Sequence, residues 1–94
     1  NQRGAIVYKD ISNQTMLPLY SGQNEFYVLS VGFLQNGIPL ITIAENDKPI
    51  CYRLPEDYGQ WVMSVVEMAN MGERLFPAKV VFSLIDGRYL ADIL

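Results

Sequence analysis

Few residues in this chain are of types that do chemistry, and none are spaced for it. Histidine is absent. That removes the commonest general base, the commonest metal ligand and every Ser-His or Cys-His pair. The single cysteine, Cys51, has no second thiol in the chain with which to close a disulfide or share a zinc ion. It lies in Pro49-Ile50-Cys51-Tyr52-Arg53, a strand pattern. Arg53 is the only nearby cation that would favour a thiolate, so a structural cysteine is expected. Close carboxylates occur at Glu45-Asn46-Asp47 and at Glu56-Asp57. Neither offers the regular run of oxygen ligands that a calcium loop needs. The first reads as a turn and the second as charge at a helix start. Asp86-Gly87 also needs no role beyond a turn. There is no Gly-rich phosphate loop. The expectation is a protein that is not an enzyme, with no catalytic residues, no cofactor and no metal.

Binding is what remains, and composition narrows it. Ten acidic residues against seven basic ones leave a formal net charge of −3. A duplex-DNA binder is normally basic, because phosphates must be neutralised, so nucleic acid is a disfavoured partner. No apolar run approaches the roughly 18–20 residues of a membrane span, and no membrane partner is expected. A lone cysteine suits a reducing compartment, so a cytoplasmic, intracellular location is expected. The chain opens at Asn1 without a methionine and stops at Leu94 inside an apolar run. The expected organisation is one small domain over 1–94, excised from a longer chain, with half its residues apolar to build one modest core.

The elements that must position any binding surface are organised around residues 54–72, the only convincing helix. Pro55 suits the first helical position, and Glu56 and Asp57 sit at the positive end of the helix dipole. Asp57 is placed to reach back to the Leu54 N–H. Gly72 can take the left-handed conformation that ends a helix. At about 100° per residue, Tyr58, Trp61, Val62, Val65, Val66, Met68 and Ala69 share one arc. Met63 and Met71 fall on the polar arc, where flexible thioethers suit a contact surface.

Five strand-like runs precede the helix and two follow it. Residues 5–9 read as a strand and 10–13 as a turn. Residues 15–20 are extended, but Pro18 confines them to an edge or an irregular segment. Residues 21–24 read as a loop. Residues 26–34 and 38–44 flank Asn36-Gly37, a strong hairpin signal. With those two as the turn, Phe33 faces Leu40, Val31 faces Thr42 and Leu29 faces Ala44. Residues 45–48 make a further turn into a short strand over 49–53. After the helix and a connector over 73–77, residues 79–85 and 88–94 form a hairpin around Asp86-Gly87. Its register pairs Ile85 with Arg88, Leu84 with Tyr89, Phe82 with Ala91 and Val80 with Ile93. The last three pairs share a core face. The opposite face mixes polar residues with Val81, Ile85 and Leu90.

Together these runs predict an α+β domain in the order β-β-β-β-β-α-β-β. One mainly antiparallel sheet of six to seven short strands carries a single helix, 55–71, on one face. The expected core is Val7, Val28 or Leu29, Val31, Ile41, Ile43, Trp61, Val65, Ala69, Val80, Phe82, Leu84 and Ile93.

Two binding modes follow. The first is a protein partner or a homodimer, with Met63, Met71, Val81, Ile85 and Leu90 as candidate contact residues. The second is single-stranded nucleic acid on the sheet face, with Tyr27, Lys48, Tyr52 and Arg53 as candidates. From residue 26 to residue 71 the order is strand, Asn-Gly turn, strand, turn, short strand, then a helix opening Leu54-Pro55-Glu56 with Trp61 soon after. That resembles the small cofactor-like and whirly single-strand DNA-binding families, whose helix opens on a similar Leu-x-Pro-Glu-x-Trp pattern at a different spacing. The resemblance covers half the chain. It implies a curved antiparallel sheet that binds single strands through aromatic and basic side chains.

Overall fold

A computed structural model of the protein describes residues 15–94. The strand expected over 5–9, its core residue Val7 and the turn over 10–13 lie outside the described residues.

Turn chemistry decides where the strands begin and end. The elements are β1 (Gly22–Phe33), β2 (Pro39–Glu45), β3 (Lys48–Arg53), a 3-10 turn (Glu56–Tyr58), α1 (Gly59–Asn70), β4 (Ala78–Ile85) and β5 (Arg88–Ile93). They form one five-stranded antiparallel sheet in the order β3-β2-β1-β4-β5, with the single helix over one face. The α+β class is as expected, with fewer strands among the described residues. Residues 15–20 do not make a full strand. Met16 makes a single parallel bridge to Arg53, and exposed Pro18 ends the pairing.

The two hairpins with two-residue turns behave as their residues dictate. Asn46 and Asp47 both have positive φ, as do Asp86 and Gly87, which is the left-handed pair a tight hairpin turn requires. The β4–β5 register matches the expected one throughout, from Ile85 opposite Arg88 to Val80 opposite Ile93. The first hairpin departs by one residue. Leu34 N–H donates to the Ile38 carbonyl at 2.8 Å and Gly37 N–H to Leu34 at 2.9 Å. The loop therefore has three residues, Gln35, Asn36 and Gly37, and only Gly37 takes positive φ. Phe33 consequently faces Pro39, Gly32 faces Leu40 and Val31 faces Ile41. A bulge between Val28 and Ser30 absorbs an extra residue, so that Val28 and Val31 both turn to the helix side.

The loop expected over 21–24 is also corrected. Gly22, Gln23 and Asn24 pair with Leu84, Ser83 and Phe82 and extend β1 to twelve residues. The Asn24 side chain pins the start, donating to the Tyr20 and Phe82 carbonyls and accepting from the Tyr20 N–H.

The helix is shorter than expected at its start. Pro55 keeps an extended ψ of 145° and precedes a 3-10 turn, after which α1 begins at Gly59. The Leu54 N–H is taken by the Pro39 carbonyl at 2.9 Å, so Asp57 makes no cap to it. At the other end Gly72 has φ +97°. Gly72 N–H donates to Ala69 and Glu73 N–H to Met68, the double closure of a Schellman motif.

Val62, Val65 and Ala69 of α1 are buried, and Val62 and Val65 share one core cluster with Val28, Val31, Ile41, Ile43, Val80 and Phe82 of the sheet. Leu17, Leu40, Leu54 and Tyr58 are also fully buried, though the sequence did not single them out as core. Trp61, Leu84 and Ile93 are only half-buried, a correction to the expected core. Trp61 sits at the margin, edge-on to Phe82 with ring centres 5.4 Å apart.

Candidate functional site

Directly paired residues share a face of a sheet, so the registers assign every strand position. The helix side carries Phe26, Val28, Ile41, Ile43, Val80, Phe82, Tyr89, Ala91 and Ile93. The outer side carries Glu25 and Tyr27 of β1, Lys79, Val81, Ser83 and Ile85 of β4, and Arg88, Leu90 and Asp92 of β5.

The strand pairing brings Val81, Ile85 and Leu90 together on that outer side. Ile85 is 45 % exposed and Leu90 48 %, while Val81 is half-buried between them and Tyr27. Ser83, directly opposite Leu90, is buried beneath them. A polar margin surrounds the patch: Arg88 and Asp92 on β5, with Lys79 and Glu25 3.6 Å apart on β4 and β1. That ion pair is exposed and contributes little to stability.

Met63 and Met71 do not join this patch. Met63 lies on the solvent side of α1 and Met71 just past its last residue, 55 % and 74 % exposed, on the helix side of the sheet. The five candidate residues thus form two separate surfaces on opposite sides of the domain.

The nucleic-acid candidates divide as well. Tyr27 and Arg53 occupy the outer face. Lys48 and Tyr52 occupy the helix side, where the Tyr52 hydroxyl donates to Glu45 Oε1. That bond, followed by burial and the charge of Glu45, raises the Tyr52 pKa above 10. A tyrosine engaged this way is poorly placed to stack on a base.

The outer face closes toward β1 and β2. Ser30, Gly32, Leu40 and Thr42 are buried there, although they point away from the helix. The Ser30 Oγ has no hydrogen-bond partner among the described residues, and the Arg53 Nε is buried without one. Ser30, Gly32 and Thr42 are small or polar residue types, so nothing in the sequence marks this closure. Among the described strand residues, the exposed apolar side chains of the outer face are therefore Tyr27, at the β4 side of β1, and Ile85 and Leu90 on the β4–β5 hairpin.

Beneath the open patch the hairpin is tied to the helix start through Tyr58. Tyr58 is 1 % exposed and stands edge-on between Phe82 and Tyr89, with ring centres 5.2 and 5.4 Å away. Its hydroxyl points at the carbonyls of Ser83 (3.2 Å) and Leu90 (3.1 Å). Burial, then the neighbouring Tyr89 and Asp57, push its pKa up to about 12. The helix start is thereby fixed to the backbone that presents Leu90.

Among the described residues no three His, Cys, Asp or Glu side chains gather closely enough to hold a metal ion. Nor, among the described residues, is any helix long and apolar enough to cross a membrane. Cys51 is half-buried on β3. No protein-family model matches the chain, and no curated protein or solved structure matches it significantly.

Proposed function

We propose that this is a non-catalytic interaction domain, which binds a protein partner or a second copy of itself through the outer face of the β4–β5 hairpin. The observation that carries the reading is the exposure of Ile85 and Leu90 on one face of a regular, unbulged strand pair. Clustered apolar side chains on a rigid surface, rimmed by charge, are the usual makings of a protein contact. The lone cysteine and the absence of histidine suit a binding role in a reducing, cytoplasmic setting.

Sedimentation equilibrium at low and high salt tests the reading. A complex held by apolar contact persists at high salt. Leu90→Asp should abolish it while shifting folding stability by no more than about 0.5 kcal/mol, as exposed positions generally do. Affinity for single-stranded oligonucleotides that falls steeply with salt, with no protein complex, would refute the reading in favour of nucleic acid.

A further inference from the structure

The sheet has two edges, and they are built differently. On β3 the two-residue turn at Asn46-Asp47 sets Lys48, Ile50 and Tyr52 to bond with β2, leaving Pro49, Cys51 and Arg53 turned outward. Pro49 has no N–H to offer a new strand. Arg53 is already occupied, because its N–H donates to Thr15 and its carbonyl accepts from Leu17, both at 2.8 Å. This edge carries the usual protections against pairing.

Among the described residues the β5 edge has neither a proline nor a strand-like segment already bonded to it. The turn at Asp86-Gly87 sets Arg88, Leu90 and Asp92 to bond with β4, and the Leu94 N–H continues the alternation to Lys79 at 2.9 Å. Tyr89, Ala91 and Ile93 turn their N–H and carbonyl groups away from the sheet, and among the described residues no strand takes them. The strand has no proline and no bulge. Its charged side chains stand on the outer face rather than across the edge.

We propose that two copies of this chain pair β5 against β5, antiparallel and centred on Leu90, to make one continuous sheet. The inference rests on the self-association reading above but places the contact between copies at the β5 edge; of the outer-face patch only Leu90 takes part, and Val81 and Ile85 stay open. An antiparallel ladder forms only where outward-turned residues oppose each other, which limits the register to steps of one residue in the position of the two-fold axis. Centring on Arg88 sets Arg88 against Arg88, and centring on Asp92 sets Asp92 against Asp92. Centring on Tyr89 sets Arg88 against Leu90, and centring on Ala91 sets Leu90 against Asp92. Only centring on Leu90 opposes unlike charges. Arg88 then faces Asp92 of the second copy, twice over, with Leu90 against Leu90 between them. In that register Tyr89 of each copy and Ala91 of the other exchange both backbone hydrogen bonds. The two-fold axis runs through the sheet, so both helices lie on one side. The Val81, Ile85 and Leu90 patches merge into a single strip on the other.

The test is analytical ultracentrifugation of the whole chain with charge exchanges at two exposed positions on the outer face of β5. Arg88→Asp and Asp92→Arg each place like charges opposite one another twice and should weaken the dimer about tenfold or more. The double variant restores unlike pairs and should recover the parent affinity. Mixing the two single variants should give a one-to-one heterodimer at concentrations where each alone is mostly monomeric. Ala91→Pro removes an N–H that β4 does not use and should also give a monomer. A salt-resistant dimer indifferent to all four would overturn the β5 pairing while leaving self-association standing. A chain that stays monomeric at every concentration would overturn both.

Discussion

Replacing Tyr58 with phenylalanine separates the packing role of that ring from the role of its hydroxyl. The ring is fully buried between Phe82 and Tyr89, and phenylalanine keeps it. The hydroxyl donates to the Ser83 and Leu90 carbonyls. Those two residues are a hydrogen-bonded pair of the β4–β5 ladder, so both carbonyls keep a backbone partner when the hydroxyl goes. No acceptor is orphaned. The expected loss at pH 7 is therefore about 1 kcal/mol, the net worth of one such bond.

The same variant should change the alkaline limb of the stability curve. The unfolded chain releases this proton near pH 10, and the folded protein only at about 12. The folded state thus holds more protons between those values. Its stability is fully present below pH 10 and falls as pH rises toward 12. Two pH units at 1.36 kcal/mol each set the full loss at about 2–3 kcal/mol. Tyr58→Phe has no such proton to lose. Tyr52 is shifted in the same direction in both proteins, so the difference between them isolates Tyr58. Urea denaturation at pH 7, 9 and 11 measures it. The variant should start about 1 kcal/mol less stable and lose less stability with rising pH. A penalty above about 3 kcal/mol at pH 7, or parallel alkaline limbs, would refute the assignment of Tyr58 as a buried, neutral donor.

Two further substitutions test other parts of the account. Trp61→Ala should cost about 2–3 kcal/mol by thermal or urea unfolding, less than a fully buried aromatic, because Trp61 is half-buried against Phe82; a loss below about 1 kcal/mol would make it a surface residue open to a partner. Gly72→Ala should cost about 1 kcal/mol, all of it from the left-handed backbone at φ +97°, since an added Cβ would meet nothing within 4 Å. An unchanged midpoint would mean that the Schellman closure contributes nothing.

Those features that depend on neighbours in the chain were legible from residue types. The Asp86-Gly87 turn set the last hairpin's register because two adjacent left-handed residues permit only one tight connection. The apolar arc of the helix and its Gly72 stop were legible for the same reason, since 3.6-residue periodicity and a glycine cap are local properties. Where two local solutions were nearly equal, the reading slipped. Asn36-Gly37 serves a two-residue or a three-residue loop, and tertiary packing chose the latter and placed a compensating bulge at Leu29.

Residue types and spacing alone thus determined the α+β class, the single helix with its buried arc, the C-terminal hairpin and the poverty of chemistry-bearing side chains. Contacts between residues far apart in the chain decided the rest. Gln23 and Asn24 became strand because β4 lies beside them, and Leu54 spent its N–H on Pro39 rather than on a helix cap. Burial of Leu40 and Ser30 on the outer face, and exposure of Ile85 and Leu90 on the same face, follow from strand order and not from alternation. Alternation says which residues share a face. Only the position of each strand within the sheet says whether that stretch of the face meets solvent, and hence where a partner can bind.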